Sequence, residues 1–223
     1  IRMKKIAILT GATGGLGREF LRKILNEEMD EVWAIARNQE KLEELKKQFG
    51  EKVIPISMDL SDFMAIRKLE DMLKEQTPSV QYLINNAGLA KMGSYNDFSL
   101  EEIDKTINVN CKAPVMLIKV CIPYMGKGCK ILNISSASAF QPNPYINLYA
   151  ASKVFERSYS RALNVELAGT GIISVAVCPG WIDTELLQKE INGKKVKFPG
   201  LVTAERVVKQ AIKDAKKGKD MSV

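Results

Sequence analysis

Two rhythms of apolar residues alternate along this chain. Short runs are apolar almost throughout, and between them lie longer stretches in which apolar positions recur every three or four residues. Residues 4–10 form the first short run and end at Thr-Gly, the pattern of a buried strand. Residues 15–28 place Leu16, Phe20, Leu21, Ile24 and Leu25 at helical spacing. The alternation then predicts strands over 31–37, 53–57, 80–85, 130–135 and 172–178. It predicts helices over 39–49, from a cap at Ser61 to about residue 76, over 148–168, and from a cap at Thr203 to about residue 217. Ser99 caps a long helical region through 101–125, with Pro114 as an expected kink or boundary within it. Residues 221–223 read as the start of a seventh strand.

Strand runs with few polar residues, separated by helices, imply a parallel sheet covered on both faces. The expected fold class is therefore α/β: a Rossmann fold over residues 1–223, with a doubly wound parallel sheet of six to seven strands. Its ligand crevice belongs at the carboxyl ends of the strands. No linker or repeat interrupts the pattern, so one domain is expected.

The bulk numbers narrow the function. The chain has 223 residues, 46% hydrophobic and 26% charged, as in ordinary water-soluble proteins. No apolar run approaches the roughly 20 residues of a membrane span. Met3 reads as the natural start, no secretory leader is recognisable, and a cytoplasmic location is expected. Cys111, Cys121, Cys129 and Cys178 sit in apolar segments without a CxxC pair and read as buried free thiols. There is no histidine, which excludes Ser-His-Asp and Cys-His catalysis and removes the commonest zinc ligand; no metal is expected. The formal net charge is +7, and between Lys189 and Lys219 ten Lys/Arg face three acids. That surplus accounts for the whole net charge. With Phe198 its one aromatic, it reads as a solvated face rather than a nucleic-acid surface.

The most informative segment is Thr10-Gly11-Ala12-Thr13-Gly14-Gly15-Leu16-Gly17, which joins the first strand directly to a helix. A glycine loop in that setting is a dinucleotide signal. Gly11 permits the sharp turn, Gly15 lets a pyrophosphate approach, and Gly17 lets helix and strand pack closely. The spacing Gly-xxx-Gly-x-Gly resembles that of the short-chain dehydrogenase/reductase (SDR) family. Asn85-Asn86-Ala87-Gly88 after the fourth strand and Pro179-Gly180-Trp181-Ile182-Asp183-Thr184 after the sixth are similar to further motifs of that family. The resemblance implies cofactor contacts at Gly11, Thr13, Gly15, Leu16, Gly17, Asp59, Leu60, Asn86, Ala87, Gly88, Pro179, Gly180, Ile182 and Thr184. An acid after the second strand would bind the ribose 2′-OH of NAD(H). Here Ala36 and Arg37 stand there, and a guanidinium pairs with a 2′-phosphate. NADP(H) is thus expected over NAD(H). Asp59 also offers itself as a helix cap.

Tyr149-Ala150-Ala151-Ser152-Lys153 places a phenol and an ammonium four residues apart on one helix face. A free phenol ionises near pH 10, and acting near neutrality asks for roughly 4 kcal/mol. A cation about 4 Å away at an effective dielectric near 20 supplies about that much. The resemblance implies that Tyr149 is the general acid/base and that Lys153 binds the nicotinamide ribose. It further implies that Ser136 orients the substrate carbonyl and that Asn110 holds a water in the proton relay. Ser135 and Asn108 are their competing neighbours; strand alternation turns Ser135 away. The implied reaction is hydride exchange between cofactor and a carbonyl or alcohol, with an epimerase or dehydratase and a non-turning-over redox sensor as alternatives. Substrate choice is expected in residues 137–148 and in a lid over 185–200. The lid lysines Lys189, Lys194, Lys195 and Lys197 raise the idea of an anionic substrate or carrier. The resemblance also implies a homodimer or homotetramer paired through the helices around 101–125 and 148–168.

Overall fold

The computed structural model describes residues 2–184, 190–191, 194–195, 198 and 200–223, the side chains of 190, 191, 194 and 195 excepted. Most of the expected lid, with Lys189 and Lys197, lies outside the described residues. The strands are β1 (Lys5–Thr10), β2 (Glu31–Ala36), β3 (Val53–Ser57), β4 (Ser79–Asn85), β5 (Lys130–Ile134), β6 (Ile173–Val177), and the short β7 (Ile182–Asp183), β8 (Glu190–Ile191), β9 (Lys194–Lys195), β10 (Val202–Thr203) and β11 (Met221–Ser222). The helices are α1 (Gly15–Leu25), α2 (Gln39–Phe49), α3 (Phe63–Gln76), α4 (Leu100–Ile107), α5 (Ala113–Cys121), α6 (Asn147–Glu166) and α7 (Ala204–Lys216).

Seven strands form a parallel sheet in the order β11-β6-β5-β4-β1-β2-β3. This is the doubly wound order anticipated from the alternation of strands and helices. The switch point falls between β1 and β4, where successive connections leave in opposite directions. Alternate residues of β1 serve the two faces. Ala7 and Leu9 pack under α1 and α7 with Phe20, Leu21, Ile24, Val208 and Ile212. Ile6 and Ile8 pack with Ile66 and Leu69 of α3, Leu117 and Ile118 of α5, and Leu163 of α6. Each of these buried Leu, Ile, Val and Phe side chains contributes roughly 1.5–3 kcal/mol of hydrophobic stabilisation. All four cysteines are buried free thiols. Among the described residues no helix is long and apolar enough to cross a membrane.

Two local expectations need correction. Ser61 does not cap α3: Asp62 does, accepting from the Met64 N–H at 2.9 Å. Asp59 is no cap either, since its carboxylate accepts from the Ser61 N–H and hydroxyl in a tight turn. The long helical region is also interrupted. Ser99 does cap it, but α4 and α5 are joined by a π-helical turn over Asn108–Lys112. Pro114 then sits in the first turn of α5. The boundary expected at Pro114 is there, and the irregularity itself lies in the asparagine segment just before it; such π turns recur at functional sites.

Candidate active site

The crevice opens where β1 and β4 part. The Thr10 hydroxyl accepts from the N–H groups of Asn86 and Ala87, each at 3.0 Å. The Asn86 amide donates to the carbonyls of Thr10 and Gly11 at 3.2 and 3.1 Å. The glycine loop and the Asn-Ala-Gly segment are therefore clamped together. Gly11 has φ +64°, and a Cβ there would come within 2.9 Å of the Ala87 backbone. A Cβ on Gly17 would lie 2.1 Å from the Gly11 carbonyl oxygen, so α1 can pack this closely only on glycine. Gly14 opens α1 without a side-chain cap, and no acid stands in its first turn. The orphan N–H groups and the positive end of the helix are thus left for an anion.

A cleft of about 610 Å³ runs from this loop across the carboxyl edge of the sheet. Gly11, Thr13, Gly15, Leu16 and Gly17 line one end. Arg37, Asp59 and Leu60 border it beyond β2 and β3, with Asn86, Ala87 and Gly88 on the floor. Ser136, Tyr149 and Lys153 stand at the other end, under Pro179, Gly180, Ile182 and Thr184. Thr184 closes over the loop tightly enough that a Cβ on Gly15 would meet its methyl at 3.0 Å.

Asn110 is the expected site residue that does not reach the cleft. It is fully buried behind the floor. Its amide exchanges hydrogen bonds with the backbone of Leu89, at 2.8 and 2.9 Å, and donates to the Ser152 hydroxyl at 3.0 Å. Its Oδ1 still lies close beneath Gly88, where a Cβ would be 3.7 Å away. Asn108 instead points to the exposed Asp104. The two serines also separate: Ser135 donates to the Lys153 carbonyl at 2.7 Å and is buried. Ser136 accepts from the Ser138 N–H at 3.1 Å, so its own hydroxyl hydrogen is free for another partner.

The Lys153 ammonium lies 5.5 Å from the centroid of the Tyr149 ring. It donates to the Ile134 carbonyl at 2.7 Å and to the Glu156 carboxylate at 2.6 Å. Burial opposes its charge, but Glu156 and Tyr149 hold its pKa above the ordinary lysine value. At the far end, Ser61 and the cations Lys105 and Arg37 hold the Asp59 carboxyl low against its partial burial. Lys105, 3.7 Å from Asp59, and Glu156 were not singled out from sequence. Glu156 carries little signal, because the buried face of α6 that it shares with Ala150, Ser152, Lys153, Ser160 and Leu163 is mostly polar. Lys105 carries none, being a lysine on a largely exposed helix.

The segment 137–148 has a recess of its own, about 600 Å³, walled by residues 139–144 and by Ala150, Ala151 and Val154. Tyr145 holds φ 64°, uncommon for a side-chain-bearing residue, and its carbonyl accepts from the Gly93 N–H at 2.8 Å.

This glycine-lined crevice at the switch point of a doubly wound sheet is that of a dinucleotide-binding protein. The profile of the short chain dehydrogenase family matches residues 5–195. An uncharacterised oxidoreductase of Staphylococcus epidermidis is 28% identical over 210 residues, covering 92% of this chain and 90% of its own. Sulfoacetaldehyde reductase 2 of Chromohalobacter salexigens is 32% identical over 200 residues, 86% of this chain and 78% of that protein. A short-chain dehydrogenase from Sphingobium yanoikuyae, solved in complex with NADPH, superposes with a TM-score of 0.84 at 25% identity, over 98% of this chain and 87% of that one. The chain belongs to the short-chain dehydrogenase family and is an oxidoreductase.

Proposed function

We propose that the protein interconverts a carbonyl and an alcohol, with NADP(H) preferred over NAD(H) and Tyr149 as general acid/base. One observation carries the reading: a phenol with a buried ammonium 5.5 Å from its ring centroid stands in the same cleft as the glycine loop. The residues fit a nicotinamide dinucleotide. The uncapped start of α1 suits the pyrophosphate, the Gly11 and Gly17 backbones leave no room for side chains, and Arg37 at the end of β2 suits a 2′-phosphate. The NADPH complex of the Sphingobium relative supports the phosphorylated cofactor. When bound, the cofactor supplies or accepts the hydride.

The chain does the rest. Asp59 and Leu60 border the adenine, while the segments 86–88 and 179–184 enclose the nicotinamide half. Lys153 holds the adjoining ribose and places positive charge beside the phenol. Ser136, its oxygen already engaged by Ser138, donates its hydrogen to the substrate oxygen and to the alkoxide character that develops there. Tyr149 gives that oxygen its proton in reduction and takes it back in oxidation. Asn110 locks the floor segment to α6 through Leu89 and Ser152, and so keeps the proton path from Lys153 in register. Exposed Ile103 and Ile107 of α4 and Val154 and Phe155 of α6 support a homo-oligomer paired through these helices.

The test is NADPH and NADH oxidation against a panel of ketones, aldehydes, quinones and acyl thioesters, in the wild type and Tyr149→Phe. The wild type is expected to favour NADPH in kcat/KM. The variant is expected to lose at least about a hundredfold in turnover while keeping its NADPH affinity. An NADH-favouring ratio removes the Arg37 assignment, and near-normal turnover in the variant removes the mechanism. Tight NADPH binding without turnover of any compound points to a redox sensor.

A further inference from the structure

Glu156 lies one helical turn beyond Lys153, on the buried side of α6, and the chemistry above gives it no task. It is 2% exposed and Lys153 4%. Its Oε2 accepts from Lys153 Nζ at 2.6 Å, while Oε1 is buried with no hydrogen-bond partner among the described residues. A carboxylate so placed is costly, because attraction to one ammonium does little more than offset the loss of water. Yet the partner is the same ammonium that faces Tyr149. The ionisable groups that meet Glu156 are few. Lys153 precedes it on α6, Cys111 comes from the π turn, and Cys178 follows β6. Tyr149 adjoins the pair through Lys153. Arg157, next in sequence, lies over the Phe140 ring at 4.3 Å. Burial pushes the Glu156 carboxyl up to about 7, against the pull of Lys153.

We propose that Glu156 is a positioning residue that fixes the Lys153 ammonium and sets how much of its charge reaches Tyr149. The inference rests on the reading of Tyr149 and Lys153 as the acid–base pair. An ammonium held between the Ile134 carbonyl and a carboxylate has two of its three N–H bonds directed, leaving one for the cleft. The ionised carboxylate also cancels part of the field that would stabilise a phenolate. The phenol then remains a proton donor over a wider range, which suits carbonyl reduction. When Glu156 takes up a proton, the full charge of Lys153 faces the ring. The chain has no histidine to blur this effect near neutrality.

Two measurements on the full chain decide it. In NADPH-driven reduction of whichever compound the panel identifies, Glu156→Gln is expected to move the alkaline limb of kcat/KM down by about one pH unit, with little change in the KM for NADPH. A limb displaced by less than a few tenths overturns the proposal. In the protein alone, carbon-13 NMR follows the Glu156 carboxyl, assigned by its loss in Glu156→Gln, and the Tyr149 ring, assigned by Tyr149→Phe. The carboxyl signal is expected to titrate near neutral pH and the ring signal to inflect at the same pH. A carboxyl already ionised at pH 5, or a ring signal blind to it, overturns the proposal even if Glu156→Gln fails to fold. If Tyr149→Phe instead keeps full turnover, the acid–base reading fails, while the NMR titration still reports whether the carboxylate and the ring are coupled.

Discussion

Glu156 also leaves a mark on stability. Its carboxyl is held near 7 in the folded protein against an ordinary value of 4.5. The folded state therefore binds that proton more tightly than the unfolded chain. The resulting stabilisation is fully present below about pH 4.5 and is lost as pH rises through 7, a change of about 3 kcal/mol. The acids held low by hydrogen bonds and neighbouring cations, Asp30, Asp59, Glu70, Glu101, Glu102 and Asp214, have the opposite sign: their stabilisation is present above the ordinary carboxylate range and lost as pH falls below it. The buried thiols of Cys111, at about 11, and Cys121, at about 12, act only on the alkaline side. The chain has no histidine, and among the described residues Glu156 is the carboxyl raised to about 7. Urea denaturation between about pH 5 and 7.5 is expected to show stability falling with pH in the wild type and staying nearly level in Glu156→Gln. At this scale the sequence was legible where chemistry repeats at fixed spacing. The glycine loop and the Tyr-xxx-Lys pair carry their own geometry, so they were readable before the fold. Glu156 was not, because its meaning depends on the side of α6 that is buried, and Lys105 was not, because nothing in its surroundings distinguishes it.

Among the elements, α1 shows how one missing methyl group sets a layer distance. A Cβ on Gly17 would meet backbone, the Gly11 oxygen at 2.1 Å and the Ala12 Cα at 2.9 Å. Backbone pinned by β1 cannot step aside as a side-chain tip can. Gly17→Ala is expected to cost at least about 3 kcal/mol in urea denaturation and to abolish NADPH binding, whereas Gly126→Ala, with nothing within 4 Å of its Cβ, should be nearly neutral. An unchanged midpoint for Gly17→Ala would contradict the close packing. The strands and most helices were legible because their apolar period differs, 2 or continuous against 3.6. Their ends were less so. The π turn at Asn108–Lys112 leaves the apolar spacing of its neighbours nearly intact, so the region reads as one helix with a suspicious proline. What sets the turn apart is tertiary: Asn110 is drawn onto Leu89 and Ser152.

At the scale of the whole molecule, the strand order followed from the alternation of elements, but the last strand did not announce its anchor. β11 joins the sheet edge beside β6, and Ser222 donates to Asp214 of α7 at 2.8 Å. Gln210 donates to the same carboxylate and Lys219 pairs with it at 2.8 Å, which holds it ionised despite its burial. Asp214→Ala leaves the Ser222 hydroxyl without its partner and is expected to cost about 1–3 kcal/mol, read as a lower thermal midpoint and faster amide exchange at the Cys178 N–H, which bonds the Ser222 carbonyl. Protection unchanged at Cys178 would mean the strand holds without this anchor. Across the crevice a different continuity emerges. Asn86 grips Gly11, Leu89 grips Asn110, Asn110 grips Ser152, and Ser152 grips the Tyr149 carbonyl. From glycine loop to phenol the floor is a single girder, whereas the roof over it hangs from the separate chain beyond β6. New roofs could be fitted by descent or by design, and the tool beneath would keep its calibration.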